Sequence, residues 1–413
     1  MYTVSVDKKY TVVIIGAGVV GCALAYEFGR KLPKADILVL EQNDTIPGLN
    51  QSSRNGGIIH SGIYYPKSVE PLKATLCVKG NDMMYDFARH FSVPCKQTGK
   101  LIVGTNPEEA SYLNFFYTVG NENGVPGLRL LTGDEARKME PLLSEQVSIA
   151  IYVPSCGSIA LDAFVGKLYT IASEYGVGFQ TGSTVKAITE TSDGFSVSVA
   201  TSDGTKEIVC ETLINAAGLY ADEIAKMVDP ESPYEIEGTR GDLATFPYNL
   251  RPDVTTQGMH LYPAPFCYDN VTKEIVHETP EKLIELLKAG KITKTLGSHV
   301  SPVFAKDKEG WSITKITGVG PLKTMGLGKE DYETNFHPNE DFVEKVKPFF
   351  PHLNATDLTP RYSGIMAVLK GKTDFVIERD SKFPHCINLV GMDSPAWSAS
   401  LAIAEYTYTL YNA

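Results

Sequence analysis

"YTVVIIGAGVVGCALAYEFGRKLPKADILVLE", residues 10–41, reads as one complete β-α-β unit. YTVVII is a buried strand, GAGVVG a turn, CALAYEFGRKL a helix and ADILVLE a second buried strand. Gly16, Gly18 and Gly21 form G-x-G-x-x-G at the strand-to-helix turn. The first glycine makes the turn, the second lets backbone approach a pyrophosphate, and the third lets helix and strand pack closely. The helix N-terminus then turns its positive dipole end toward the phosphates. Glu41 closes the second strand, where a carboxylate can accept ribose hydroxyls and where a phosphorylated ribose would want a base instead. Three glycines alone are a weak signal. Strand, turn, helix, strand and terminal acid in this order specify a dinucleotide-binding unit.

A nicotinamide-dependent chain would continue with further β-α-β units. This one enters a loop-rich excursion over residues 42–66 and revisits the fold at "INAAGLYAD", residues 214–222. That order favours FAD, an elongated ligand touched by distant segments. The excursion ends in "NGGIIHSGIYYP", residues 55–66, which is too apolar for a bare surface loop and too rich in glycine for a core strand. Its composition asks what comes so close to the backbone that side chains are excluded, and why an imidazole stands among them.

The remainder of the chain alternates between the two periods. Residues 107–140 read as helical with turns, and "LDAFVGKLYTIASEYG" (161–176) as an amphipathic helix. Residues 184–214 alternate as strands, and 236–340 are β-rich. Within that stretch "TPEKLIELLKAG" is a helix with Thr279 as N-cap, Pro280 at the first position and Gly290 past the end. The last segment, "CINLVGMDSPAWSASLAIAEYTYTLY", is again strand, glycine turn and helix. The expected fold is α/β: a Rossmann-like FAD-binding domain assembled from residues 1–85, 145–232 and 358–413. Residues 86–144 and 233–357 would form a second, β-rich α+β substrate domain.

Composition bounds the partners. With 413 residues, two domains or one elaborated domain are expected. A hydrophobic share of 43% and a charged share of 21% are those of a globular protein. A net charge of -11 argues against nucleic acid, which draws on clustered Lys and Arg, yet leaves room for a small anionic substrate met by a few local cations. The 7 cysteines are scattered without CxxC or metal-ligand spacing, so no metal site is expected and reduced thiols are. The amino-terminal residues show neither signal-peptide nor transit-peptide character, and no apolar run approaches the ~20 residues of a membrane span. A cytoplasmic protein is expected, with peripheral membrane contact left open.

With these residues in hand, the chain resembles the FAD-dependent amino-acid-oxidase-like superfamily, and within it most resembles L-2-hydroxyglutarate dehydrogenases and oxidases. The matching stretches are "VVIIGAGVVGCALAYEF", "NGGIIHSGIYYP", "LKATLCVKG", "TGKLIVGT", "NGVPGLRLL", "NAAGLYAD", "TRGD" and "DSPAWSASLAIAE". The resemblance implies an FAD cradled by Gly16, Gly18, Gly21 and Glu41, with Ser52 and Arg54 near the pyrophosphate and Asn55 also binding the cofactor. It implies Val185 at the adenine, Ala217 and Gly218 along the dinucleotide, and Gly391, Ser394 and Pro395 at the isoalloxazine ring. There the start of the last helix can stabilise negative charge on a reduced flavin. Gly56 and Gly57 would let backbone pass against the ring, and His60 would sit over its substrate face. Related glycerol-3-phosphate oxidases keep a histidine at the position of His60, which supports the role of base; some members of the superfamily instead attach flavin through histidine. His299, in "GSHVSP", is the second candidate, and Tyr64 and Ser394 are expected near the substrate.

The implied reaction is oxidation of a small 2-hydroxy acid, first of all L-2-hydroxyglutarate. Glycerol 3-phosphate or an amine substrate is the alternative within enzymes, and a flavin-binding redox or assembly protein without turnover the alternative outside them. The residues leave the flavin's reoxidant open among oxygen, a quinone and a carrier protein. Two departures bear on substrate. Where relatives carry a carboxylate-binding arginine, this chain has Met366, and methionine makes no ion pair. Either another cation replaces it, Arg240 first with Lys100, Arg361 and Lys370 as further candidates, or the substrate lacks a carboxylate there. Residues 266–294 form an insertion relative to the family, read as a surface embellishment or as a lid or acceptor contact.

Overall fold

The computed structural model describes residues 8–247, 251–254, 256–272, 274–332 and 335–413. The strand Lys9–Ile15 lies at the centre of the first sheet, parallel to Ile37–Leu40 on one side and to the end of Gly204–Asn215 on the other. Gly178–Gln180 and Cys386–Val390 extend the parallel core outward, while Thr184–Thr191 and Gly194–Thr201 add an antiparallel pair. Alternation along the central strands divides their side chains between two cores. Val12, Ile14, Ile37 and Val39 pack against the helices Val19–Lys31, Leu161–Glu174 and Ala396–Tyr411. Val13, Ile15, Leu38 and Leu40 pack instead against the antiparallel strands and the helix Ala221–Val228.

The glycine turn is built as its spacing requires. Gly16 has φ 100°, and a Cβ there would stand 2.6 Å from the Ala216 carbonyl oxygen. A Cβ on Gly21 would lie 1.8 Å from the Gly16 carbonyl oxygen, so helix and turn touch backbone to backbone. The expected helices at 161–176 and 279–290 form as Leu161–Glu174 and Pro280–Lys288, the latter capped by Thr279, whose side chain accepts the Lys282 N–H.

The second sheet has eight strands and is antiparallel apart from His260–Pro263, which runs parallel to Lys100–Gly104. Its membership corrects two of the expected boundaries. Ile149–Val153 pairs with Lys100–Gly104 and Arg129–Thr132, and Thr359–Leu369 pairs with Ile236–Pro247. Both strands therefore belong to the second sheet although the boundaries at 145 and 358 assigned them to the first. Hydrophobic alternation is the same in either sheet, and only the pairing partner separates them. On one face of this sheet Leu101, Val103, Leu261 and Val300 pack against Phe342, Val346 and Phe350. By alternation Lys100, His260, Tyr262, His299 and Ser301 stand on the opposite face. The insertion forms the hairpin Phe266–Asp269 with Ile292–Thr295, closed by the helix Pro280–Lys288. None of the helices among the described residues is long and apolar enough to cross a membrane.

Candidate active site

A cavity runs from the glycine turn to the inner face of the second sheet. Gly18, Ser52, Arg54, Asn55 and Gly218 line one end of it. At the other end stand His60, Tyr262, His299, Lys323 and Met366, with Ser394 and Pro395 between. Segments far apart in the chain meet here because parallel strands end on one edge, and the turns that follow them converge.

The near end fits a dinucleotide. Ser52 Oγ accepts the Val19 N–H at 2.8 Å, which brings the excursion onto the helix N-terminus. Arg54 lies with its guanidinium carbon 4.4 Å from the centre of the Tyr332 ring, and its Nε is buried without a hydrogen-bond partner among the described residues. Trp397 donates its indole N–H to the Ser52 carbonyl at 3.2 Å, joining the last helix to the same loop. Glu41 is placed behind the turn: its carboxylate accepts the Ala17 N–H at 2.7 Å and the Asn43 N–H at 2.9 Å. Glu41, Val185, Ala217, Gly391 and Gly57 are not on the cavity wall. Val185 packs in the core beside Leu40. A Cβ on Gly57 would meet the Ile159 carbonyl oxygen at 2.8 Å, so packing explains that glycine, whereas Gly56 does face the cavity.

At the far end the His60 backbone is held from both sides. Its N–H donates to Ser398 Oγ at 2.8 Å, and its carbonyl accepts from Asn81 Nδ2 at 2.9 Å. The ring is left to the cavity, with Nδ1 enclosed and unpaired among the described residues. Burial, then the nearby Lys100 charge and His260, hold its pKa well below the ordinary histidine value, so the neutral imidazole prevails at neutral pH. His299 stacks on Tyr262 with ring centres 4.2 Å apart, and its Nδ1 lies 2.7 Å from Ser301 Oγ. It too is held neutral, chiefly by burial.

The expected cation is elsewhere. Gly241 and Leu243 line the cavity, and alternation sends the Arg240 and Asp242 side chains to the other face of their strand. Arg240 there pairs with Asp242 at 3.0 Å and Asp331 at 3.2 Å. The expectation that Arg240 holds substrate is therefore corrected: it is part of a buried ion-pair group. Arg240→Met is expected to lower unfolding free energy by about 3–5 kcal/mol, the scale for breaking such a pair, in a denaturant titration. Lys370 is exposed and pairs with Glu235, and the side chain of Arg361 lies outside the described part. Tyr64 is buried against Phe116, behind the wall and not on it.

Two charged residues that sequence reasoning passed over complete the wall. Lys323 projects into the open cavity, where desolvation by the surrounding wall lowers its pKa from the ordinary lysine value and Asp393 raises it back in part. Asp393 also lines the cavity and pairs with Lys73 at 2.6 Å. That pair joins "LKATLCVKG" to "DSPAWSASLAIAE" and gives both stretches a physical reason. Lys323 carried no local signal, since "GPLKTMG" reads as one more strand with a polar position. The insertion borders the site: Lys294 Nζ donates to the Tyr64 carbonyl at 2.8 Å and pairs with Glu70, while Leu296 and Gly297 just beyond it reach the wall.

A family model described as FAD dependent oxidoreductase matches residues 11–410. The mitochondrial L-2-hydroxyglutarate dehydrogenase of Arabidopsis thaliana is 29% identical, over 97% of this chain and 83% of its own length. The L-2-hydroxyglutarate dehydrogenase of Indibacter alkaliphilus is 28% identical, over 95% of this chain and 96% of its own. Among solved structures, L-alpha-glycerophosphate oxidase from Mycoplasma pneumoniae superposes with a TM-score of 0.77 at 22% identity, covering 98% of this chain and 96% of that one. Glycine oxidase from Geobacillus kaustophilus gives 0.76 at 18% identity, covering 98% and 95%.

Proposed function

The chain belongs to the FAD dependent oxidoreductase family, and from that premise we propose that it oxidises L-2-hydroxyglutarate to 2-oxoglutarate. The observation that carries the proposal is the convergence of a neutral imidazole, His60, and a cation, Lys323, on the cavity that reaches back to the dinucleotide turn. The relatives named above as L-2-hydroxyglutarate dehydrogenases support the choice of acid. FAD supplies the acceptor for the hydride that leaves the substrate's C2. His60 takes the hydroxyl proton as the C–H bond breaks, so that alcohol becomes ketone with two electrons and two protons accounted for. Lys323 binds a substrate carboxylate in place of the arginine that Met366 replaces. Lys73, by pairing with Asp393, spares that carboxylate a bare negative neighbour. His299, fixed by Tyr262 and Ser301, orients the substrate on the second-sheet side. A reducing, cytoplasm-like compartment accords with cysteines that are all free.

Anaerobic mixing with 2-hydroxy acids of both configurations, glycerol 3-phosphate and amino acids tests the reading through flavin bleaching. L-2-Hydroxyglutarate is expected to bleach fastest; preference for glycerol 3-phosphate or an amine would replace it. Lys323→Met should raise the apparent KM for the acid roughly 10- to 100-fold, the range for a hydrogen bond to a charged group. An unchanged KM would remove Lys323 from the substrate site.

A further inference from the structure

We propose that Lys100, which does not line the cavity, is the electrostatic positioning residue of the site: its ammonium is a fixed positive charge behind the wall that favours anionic ligands in front of it. The side chain is fully buried, with Nζ 4.7 Å from the centre of the Tyr64 ring and 4.4 Å from that of Tyr262. Among the described residues Nζ has no hydrogen-bond partner. The titratable groups set against it come from several neighbouring elements. They are His60 and Tyr64 from the excursion, Cys77 from the helix Pro71–His90, His260 and Tyr262 from one adjacent strand, and His299 from the next. None of these is a carboxylate.

That arrangement is costly by itself. Desolvating an ammonium without a counter-ion is unfavourable, and two aromatic faces return only part of the loss. A methionine or leucine would pack the same strand face, beside Ile102, without the penalty. The charge is rational if its counter-ion arrives with the ligand. Tyr262 provides the link, because the same ring lies over Lys100, stacks on His299 and forms cavity wall. A buried charge a few ångströms behind a wall acts across it at low effective dielectric, and salt screens it little. The second consequence concerns the base. Lys100 is the largest charged contributor after burial to the lowered pKa of His60, and it acts in the same direction on His260 and His299. One cation thus favours anions and adds to burial in holding the three imidazoles unprotonated.

The ligand half of this inference rests on the anionic-substrate reading; the imidazole half does not. The test uses the FAD-loaded protein and Lys100→Met, with Lys100→Gln as a second neutral variant of different packing. Two ligands are titrated against the flavin absorption spectrum: glutarate, a dicarboxylate with no hydroxyl to oxidise, and glutaramide, its neutral counterpart. Glutarate affinity is expected to fall about tenfold or more, the scale of one charge lost several ångströms away, with glutaramide changed less than twofold. In parallel, the His60 imidazole, followed by NMR, should titrate at higher pH in the variants, because a repelling positive charge has been removed. Unchanged glutarate affinity with an unmoved His60 titration overturns the proposal. So does equal weakening of both ligands, or loss of FAD by both variants, since each marks Lys100 as a packing group. If the parent binds no glutarate and is reduced by no 2-hydroxy acid while the His60 shift persists, the substrate reading fails and the positioning role stands.

Discussion

His60→Ala is expected to retain FAD and to reduce it roughly 10²- to 10⁴-fold more slowly, the usual contribution of a positioned base. The substitution removes the ring and keeps what holds the backbone, since Ser398 and Asn81 bond to the main chain of residue 60. Packing loss is therefore small beside the chemical loss. The pH profile separates the two. Burial first, then Lys100 and His260, hold the His60 pKa well below its usual value. In the parent the reduction rate should be flat through neutrality and fall in acid, as pH drops through that lowered pKa and the base is protonated. In the variant the acid limb should vanish. Stopped-flow reduction followed from neutral pH down to the lowest pH at which the protein stays folded reads both. A variant that reduces flavin at the parental rate would make His60 a packing residue.

Gly21→Ala is expected to yield colourless protein. A Cβ there would stand 1.8 Å from the Gly16 carbonyl oxygen and 2.9 Å from its carbon, both backbone atoms with little freedom to move. Gly16 cannot retreat, because the space its own Cβ would need is filled by the Ala216 carbonyl. The helix must then shift away from the turn, carrying its N-terminal amides off the phosphate position. Overpacking of this kind costs about 1–3 kcal/mol of stability, and the displaced helix should weaken FAD binding by roughly two orders of magnitude on the same scale. Flavin content after purification and reconstitution with added FAD measure it. Yellow protein with parental affinity would show that the turn tolerates the methyl group.

Legibility differs sharply between the two halves of the molecule. The dinucleotide unit could be read from 32 consecutive residues, 10–41, because each of its requirements is local: a positive φ, a missing Cβ, a change of period from two to 3.6. Thr279, Pro280 and Gly290 marked their helix for the same reason. Arg240 shows the opposite case. Its segment "TRGD" offers a cation to the site, but the strand's parity decides which of four neighbours faces the cavity. Gly241 does and Arg240 does not. That parity depends on register, and the strand carries a register shift between Asp242 and Ala244 against one partner and between Leu243 and Ala244 against the other.

The sequence by itself determined the α/β class and the FAD-type glycine turn, because those rest on backbone preferences and short-range spacing; His60 is singled out only by the family resemblance of its loop. Tertiary structure alone decided the charges of the site. Lys73 meets Asp393, although 320 positions separate them. Lys323 faces the cavity from the second sheet and His60 from the loop after Ile58–Ile59, and Lys100 stands behind His60 and His299 on the inner face of a strand. Electrostatic interaction depends on distance through the folded protein and on burial, and neither quantity has any expression along the chain until strands pair and choose their faces.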